Sequence, residues 1–173
     1  MDKVRQYNPL DMGYTGTAGK EPPQSIRIQS GVVDKGIKRR KAKGEPLNFN
    51  VLAGAILTGI DIIKDNGVDM ILFYCKNKVY LQCHLQECSE GVGIEDICGD
   101  INDIISSPIL MAEESISIGN QGEDHCTWTF YKLATNKGAI TIRWAGCSNG
   151  YYSESVEFYL FKNTNRQERI PTN

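Results

Sequence analysis

The residues best suited to catalysis or metal binding are two histidines with cysteines close to them in sequence. His84 follows Cys83 and precedes Cys88, while His125 precedes Cys126. Thiolates and imidazoles bind zinc, and a cysteine beside a histidine can act as a nucleophile. Adjacent residues of a strand point to opposite faces, however, so neither neighbouring pair can easily hold one ion. The pattern therefore predicts small buried side chains rather than a metal site or a catalytic pair.

A run of carboxylates between residues 95 and 103 is the second group that could do chemistry. It consists of Glu95, Asp96, Asp100 and Asp103, and the last three recur at steps of four and three residues. This spacing is typical of the solvated face of a helix. The sequence contains neither glycine-rich phosphate-binding motif. We therefore expect no catalytic residue, no metal and no cofactor, and we interpret the protein as a binding protein rather than an enzyme.

The segment from Arg143 to Glu154 is the best candidate for ligand binding. Arginine offers a planar donor fork, aromatic rings offer stacking faces, and small loop residues let a ligand approach the backbone. The candidate ligand-binding residues are Arg143, Trp144, Asn149, Tyr151 and Tyr152. We expect the first four to share a surface concavity. The alternative is that Trp144 and Tyr152 only fill core and edge positions around a hairpin.

These residues must be positioned by the part of the chain that follows residue 48, because the first 48 residues are interrupted repeatedly by glycine and proline. This N-terminal arm has ten Lys or Arg against five Asp or Glu, whereas residues 49–173 have nine against sixteen. Such polarity is typical of an interaction tail, although a solvated linker is the alternative. The candidate partner-binding residues are Ile26, Ile28, Lys35, Lys38, Arg39, Arg40, Lys41 and Lys43.

The arm is expected to contact other proteins or copies of the same chain. Its apolar residues would add a strand to a sheet edge, and its basic cluster, Lys35 to Lys43, would meet an acidic surface or nucleic acid. An arm so rich in glycine and charge buries too little of itself to offset the entropy lost on ordering. A neighbouring molecule would supply the missing area.

Residues 49–162 show the short β-branched and aromatic runs of a strand meander. Strands are predicted at residues 56–64, 70–75, 79–85, 109–117, 127–134, 139–145 and 155–161. Between Gly93 and Pro108, isoleucines recur at three- and four-residue steps, which predicts a helix that Gly99 breaks or kinks. The predicted fold is α+β, a mainly antiparallel sheet of six or seven strands with one helical segment packed on it. Residues 163–173 form a C-terminal tail.

Composition places the chain among soluble proteins that remain in the cytoplasm. Its 173 residues are 40% hydrophobic and 23% charged, close to the globular average. The longest apolar runs are too short to span a bilayer, and the start of the chain lacks the apolar region of a secretory signal. All six cysteines are therefore predicted to be thiols in a reducing compartment.

Four blocks in the second half of the sequence resemble a phage-enriched domain family of unknown function. They are Ile94 to Asp100, Ser107 to Glu114, Thr127 to Thr135, and Ser148 to Val156, the last preceded by Ile140 to Trp144. The resemblance covers about residues 52–161. It implies a virus-encoded protein acting inside a bacterium or in the particle, but no established activity. Family members usually carry a double cysteine where this chain has Cys88 alone, and most lack an arm.

Two functions are compatible with these features. In the first, the protein is a minor or decorating component of a virus particle, made in the host cytoplasm and anchored through its arm to other virion proteins or to copies of itself. In the second, it acts only in the host cytoplasm, as an inhibitor or sponge that sequesters a nucleotide-derived defence signal or blocks a host protein. The arm favours the first function, and the segment from Arg143 to Glu154 favours the second.

Overall fold

The fold consists of two β-sheets packed face to face. A computed structural model describes residues 26–30, 45–65, 68–84, 90–121 and 124–161. The strands are β1 (Ile26–Ser30), β2 (Leu57–Asp65), β3 (Val68–Cys75), β4 (Val79–Cys83), β5 (Gly91–Cys98), β6 (Met111–Gln121), β7 (Asp124–Ala134), β8 (Ala139–Ser148) and β9 (Glu157–Phe161). One sheet has the order β1, β2, β3, β4, β9, and the other has the order β5, β8, β7, β6.

All neighbouring strands are antiparallel except β1 and β2, which are parallel. Helical structure in the described residues is limited to two single 3-10 turns, Phe49–Leu52 and Ile101–Ile104. The mainly antiparallel arrangement was predicted correctly, but the single sheet of six or seven strands was wrong, because the nine described strands form two sheets. The α+β class was wrong, because the predicted helix between Gly93 and Pro108 is instead strand β5 followed by the second 3-10 turn.

A β-bulge in β5 explains why this segment imitates a helix. Ile94 pairs with Trp144 and Ile97 with Ile142, while the register shifts between Ile94 and Asp96. The bulge places one extra residue in β5, so residues three apart point to the same face of the sheet. Ile94 and Ile97 therefore both face the core, at a spacing that an unbroken strand would not give. The carboxylates of this run lie on a strand and a 3-10 turn rather than on a helix face.

The main core fills the space between the two sheets. Phe49 lies at its centre, with ring centroids 4.8 Å from Tyr131, 5.2 Å from Phe158 and 6.1 Å from Phe73. The 3-10 turn that carries Phe49 begins at Asn48, whose side chain accepts a hydrogen bond from the Asn50 amide at 2.9 Å. The first helical turn after the arm therefore contributes directly to the domain core.

The opposite face of the five-stranded sheet is buried as well. It carries a second apolar cluster, composed of Ile63, Met70, Leu72, Leu81, Cys83, Tyr159 and Phe161. Strand β4 is also buried on the face toward the main core, where Tyr80, Gln82 and the following His84 are all buried. Because both faces of such a strand are buried, neither faces solvent, and burial does not alternate along the strand.

Two hairpins have turns within the described residues, and a main-chain hydrogen bond closes each of them. The Cys75 amide donates to the Lys78 carbonyl at 2.8 Å, and the Thr135 amide donates to the Gly138 carbonyl at 2.9 Å.

In the described residues, no helix is long and apolar enough to cross a membrane.

The prediction that all six cysteines are thiols was wrong for two of them. Cys126 and Cys147 face each other across β7 and β8 and form a disulfide, with a Cα–Cα distance of 4.2 Å. Cys75, Cys83 and Cys98 are free thiols, and Cys88 lies outside the described residues. The two cysteines are 21 residues apart, and only the strand register brings them together.

Candidate functional site

Strand β8 carries two of the predicted ligand-binding residues on opposite faces. Residues along it alternate between buried and partly exposed, because successive side chains of a strand point to opposite sides. Trp144 points inward and is 1% exposed. Its Nε1 donates to Oε1 of Gln82 on the other sheet at 3.2 Å. Trp144 is therefore a core residue that links the two sheets, as the alternative interpretation of the sequence predicted for it.

Arg143 points outward and is held by two carboxylates of β5. Its Nε lies 2.9 Å from Oε2 of Glu95, and its Nη2 lies 2.8 Å from Oδ2 of Asp96. The bulge in β5 allows two consecutive residues to reach the same arginine. Because these ion pairs are about one third exposed, they add little to stability, but they occupy the guanidinium fork.

The turn after β8 is stabilised by its own polar side chains. Ser148 Oγ accepts from the Gly150 amide at 3.0 Å, and Asn149 Oδ1 accepts from the Tyr151 amide at 3.1 Å. Gly150 has a φ of 82°, in the region that glycine adopts without strain. Tyr151 is 91% exposed and Tyr152 is 36% exposed. The turn thus presents one tyrosine almost completely to solvent.

The structure does not bring the predicted ligand-binding residues together. Arg143 and Ser148 are five residue steps apart along the strand, a distance of about 17 Å at the usual rise, and Trp144 is inside the core. Only Asn149, Tyr151 and Tyr152 share the turn. Ligand binding by these three residues stays a prediction.

A buried carboxylate next to this turn was missed by the sequence analysis. The side chain of Glu154 is 4% exposed, and its Oε2 lies 3.2 Å from Nδ1 of His125, whose side chain is 45% exposed. Burial alone would raise the pKa of Glu154, but hydrogen bonds from Ser148, Thr127 and His125 outweigh it and lower the pKa below the ordinary glutamate value. Glu154 is therefore a buried anion that fixes the segment after the turn.

The second histidine fixes the same segment from the other sheet. His84 Nδ1 lies 2.7 Å from the Ser155 carbonyl oxygen, and its Nε2 lies 3.3 Å from Glu90 Oε1. Since a carbonyl can only accept, Nδ1 donates the hydrogen of the bond to Ser155. Residues 154 and 155 are thus held by histidines from both sheets.

The two histidine–glutamate pairs could move protons at a bound ligand, because a carboxylate orients an imidazole for acid–base chemistry. His125 is the more accessible of the two histidines. Among the residues that the structure describes, no three His, Cys, Asp or Glu side chains are grouped as metal ligands. The arrangement seen here is a pair of separate two-residue contacts that hold one loop.

A family model described as "Domain of unknown function (DUF7448)" matches residues 42–158. The chain belongs to this family. Comparison with curated proteins and with solved structures found no match. The DUF7448 match begins near the end of the arm and ends in β9, so it includes both sheets except β1 and the last residues of β9. It also includes both histidine–glutamate pairs and the turn after β8.

Most of the arm lies outside the DUF7448 match. Two of its predicted partner-binding residues, Ile26 and Ile28, lie in β1 and pair with Ile60 and Ile62 of β2. Strand addition was predicted for this segment, and here it occurs on the sheet edge of the same chain. The basic cluster, Lys35 to Lys43, lies outside the described residues.

Proposed function

We propose that this DUF7448 protein is a non-enzymatic, minor or decorating component of a bacteriophage particle, anchored to its neighbours through the arm. The observation that carries the proposal is the placement of β1. Residues Ile26–Ser30 form the edge strand of the first sheet and pair only with β2 among the described residues. A segment attached to a domain by one strand pairing can form the same pairing with another copy.

Strand exchange between identical chains is a low-cost route to assembly, because the pairing lost within one chain is regained with its neighbour. The receiving edge of β2 offers main-chain groups from Ile60 to Lys64 to any copy of β1. The opposite charges of arm and domain add attraction between neighbouring copies, since the arm is basic and residues 49–173 are acidic. This attraction should weaken with salt.

The disulfide is a second observation in favour of a particle component. Disulfides persist in oxidising surroundings and are rare in the cytoplasm. Particles released by lysis reach an oxidising medium, where Cys126 and Cys147 can remain linked. A protein acting only in the host cytoplasm would not gain from this bond.

The alternative is an intracellular inhibitor or sponge that sequesters a nucleotide-derived defence signal or blocks a host protein. The observation that favours it is the exposure of Tyr151 on a rigid turn, beside Tyr152. Its weakness is that Trp144 and Arg143 are engaged elsewhere. A protein partner that packs against Tyr151 fits this turn better than a nucleotide does.

Mass spectrometry of purified particles from a phage that encodes this chain tests the proposal. We expect the chain to be present in a constant ratio to the major capsid protein. The double variant Arg39→Glu/Arg40→Glu should reduce incorporation at least tenfold, because it lowers the charge of the basic cluster from +6 to +2. The matched control is Lys76→Glu/Lys78→Glu, at two exposed positions of the β3–β4 hairpin, which should incorporate normally. Recovery of the chain only in the soluble lysate would contradict the proposal.

A further inference from the structure

Strand β6 is a long sheet edge that has a partner on one side only. It pairs with β7 along all of Met111–Gln121, and no described strand lies on its other side. Ile116 and Ile118 are 59% and 67% exposed on this edge. Natural edge strands are usually protected by charged side chains, above all lysine, by proline or by a bulge. The charged residues of β6 are Glu113 and Glu114 near its start, and the strand has no lysine, no proline and an unbroken register. Among the described residues, the part of this edge from Ser115 to Gln121 is therefore open to another strand.

The disulfide indicates which main-chain groups of β6 are free. A Cα–Cα distance of 4.2 Å marks Cys126 and Cys147 as a narrow, non-hydrogen-bonded pair of β7 and β8. The amide and carbonyl of Cys126 consequently point to Gly119 of β6. Because bonded and non-bonded pairs alternate along a ladder, Ile116 and Ile118 point their main-chain groups away from β7.

We propose that β6 is a homodimer interface in which two copies of the strand pair antiparallel about a two-fold axis at Ser117. In this register Ile116 of each copy lies opposite Ile118 of the other, so four isoleucines form one apolar cluster. Glu114 lies opposite Asn120, which keeps the like charges apart. The two-fold symmetry satisfies the requirement that the same surface be used by both copies.

A second copy fits this edge better than an unrelated strand, because the edge complements itself in both shape and hydrogen bonding. With the axis at Ser117, Ile116 of each copy forms a hydrogen-bonded pair with Ile118 of the other copy. Pairing along the whole length of the two β6 strands gives about eight main-chain hydrogen bonds. A register centred on Ile116 would instead place Ile118 opposite Glu114 and lose one apolar pair. The resulting eight-stranded sheet would continue through both copies, and it requires no residue of the arm.

Light scattering on the full chain across a dilution series tests the interface. We expect a mass of two chains for the wild type and of one chain for Ile116→Lys/Ile118→Lys, with the dissociation constant raised by about a hundredfold or more. Leu110→Lys is the matched control, because Leu110 is 67% exposed but precedes the strand, and it should remain dimeric. Mixing the lysine variant with Ile116→Glu/Ile118→Glu should restore the dimer, because opposite charges then face each other. A wild type that is monomeric at every concentration, or a lysine variant as dimeric as the wild type, would overturn the proposal.

The register is tested separately by cross-linking, which does not depend on the lysine variants being folded. Ser117 would face its own mate in a narrow pair, at a Cα separation suited to a disulfide. On a Cys88→Ser/Cys98→Ser background, which removes the exposed thiol of the described residues and the one cysteine outside them, Ser117→Cys should give a covalent dimer under mild oxidation. Ser115→Cys, which would face Gly119, should not. Equal cross-linking of both variants, or of neither, would overturn this register.

Discussion

Breaking the disulfide between Cys126 and Cys147 should destabilise the domain by about 3 kcal/mol. The bond joins residues 21 apart and closes the β7–β8 hairpin far from its turn at residues 135–138. In the chain-entropy model, a link of this length removes conformations from the unfolded state worth about 3 kcal/mol. For a domain of this size, that loss lowers the melting temperature by roughly 10 °C.

The assay is urea denaturation followed by circular dichroism, with and without reductant. Reductant should shift the midpoint of the wild type to lower urea. It should have no effect on Cys126→Ala/Cys147→Ala, whose midpoint should match that of the reduced wild type. This variant is the control for any other action of the reductant, because the remaining cysteines are unchanged in it.

Thiol labelling of the denatured, unreduced protein would refute the reasoning most directly. The chain has six cysteines, two of which are in the disulfide, so four should react if Cys88 is a thiol. Denaturation is needed because burial raises the pKa of Cys83 to about 12 and keeps its thiol protonated. Six reactive thiols would show that the bond is absent. An unchanged midpoint on reduction would show that the hairpin gains nothing from it.

Three further changes test the core and the turns. Glu154→Gln should lower the free energy of unfolding by about 1.5–3 kcal/mol at neutral pH, the usual value of hydrogen bonds to a charged group. The pKa of Glu154 is lower in the folded protein than in the unfolded chain. The difference in unfolding free energy between wild type and variant should therefore be largest above the ordinary glutamate pKa and should disappear as the pH falls through the pKa of the folded state. Denaturation of both proteins at a series of pH values measures this. Trp144→Phe should cost about 1–3 kcal/mol in urea denaturation by leaving its buried hydrogen-bond acceptor unpaired, whereas Trp128→Phe should cost less. Gly99→Ala should destabilise more than Gly150→Ala in thermal melts, since both glycines have positive φ but only at Gly99 would a Cβ collide with a backbone carbonyl.

The strands were predictable because they combine β-branched residues with turn residues at their ends. All seven predicted strands overlap observed ones, from β2 to β9 without β5. Thr135 and Lys78 close hairpins in the gaps between predicted strands. What sequence patterns could not give was the division into two sheets, because pairing between β4 and β9 joins segments more than seventy residues apart.

The error at β5 has a definite physical origin. A helix and a bulged strand can both place residues three apart on one face, so the spacing of Ile94 and Ile97 does not distinguish them. Enrichment in β-branched residues was the signal that favours a strand. The ion pair between Arg143 and Asp96 at the bulge could not be inferred either, since the two residues are nearly fifty positions apart in the sequence.

The site was predicted less well than the fold. Strand alternation alone could have placed Arg143 and Trp144 on opposite faces, because they are neighbours in one predicted strand. The burial of Glu154 had no such signal. Its partners His125 and Thr127 come from another strand, and a glutamate after a turn is normally solvated.

The two tryptophans of the chain lie in different environments, and this gives the protein two built-in fluorescent reporters. Trp144 lies in the dry core, so its emission should be blue-shifted and shielded from soluble quenchers. Trp128 lies on the outer face of the same sheet, beside Gly119 of β6, and is only partly buried. An event at the β6 edge should therefore change the emission of Trp128 alone, whereas loss of the fold should change both. One emission spectrum can thus separate association from unfolding without any added label.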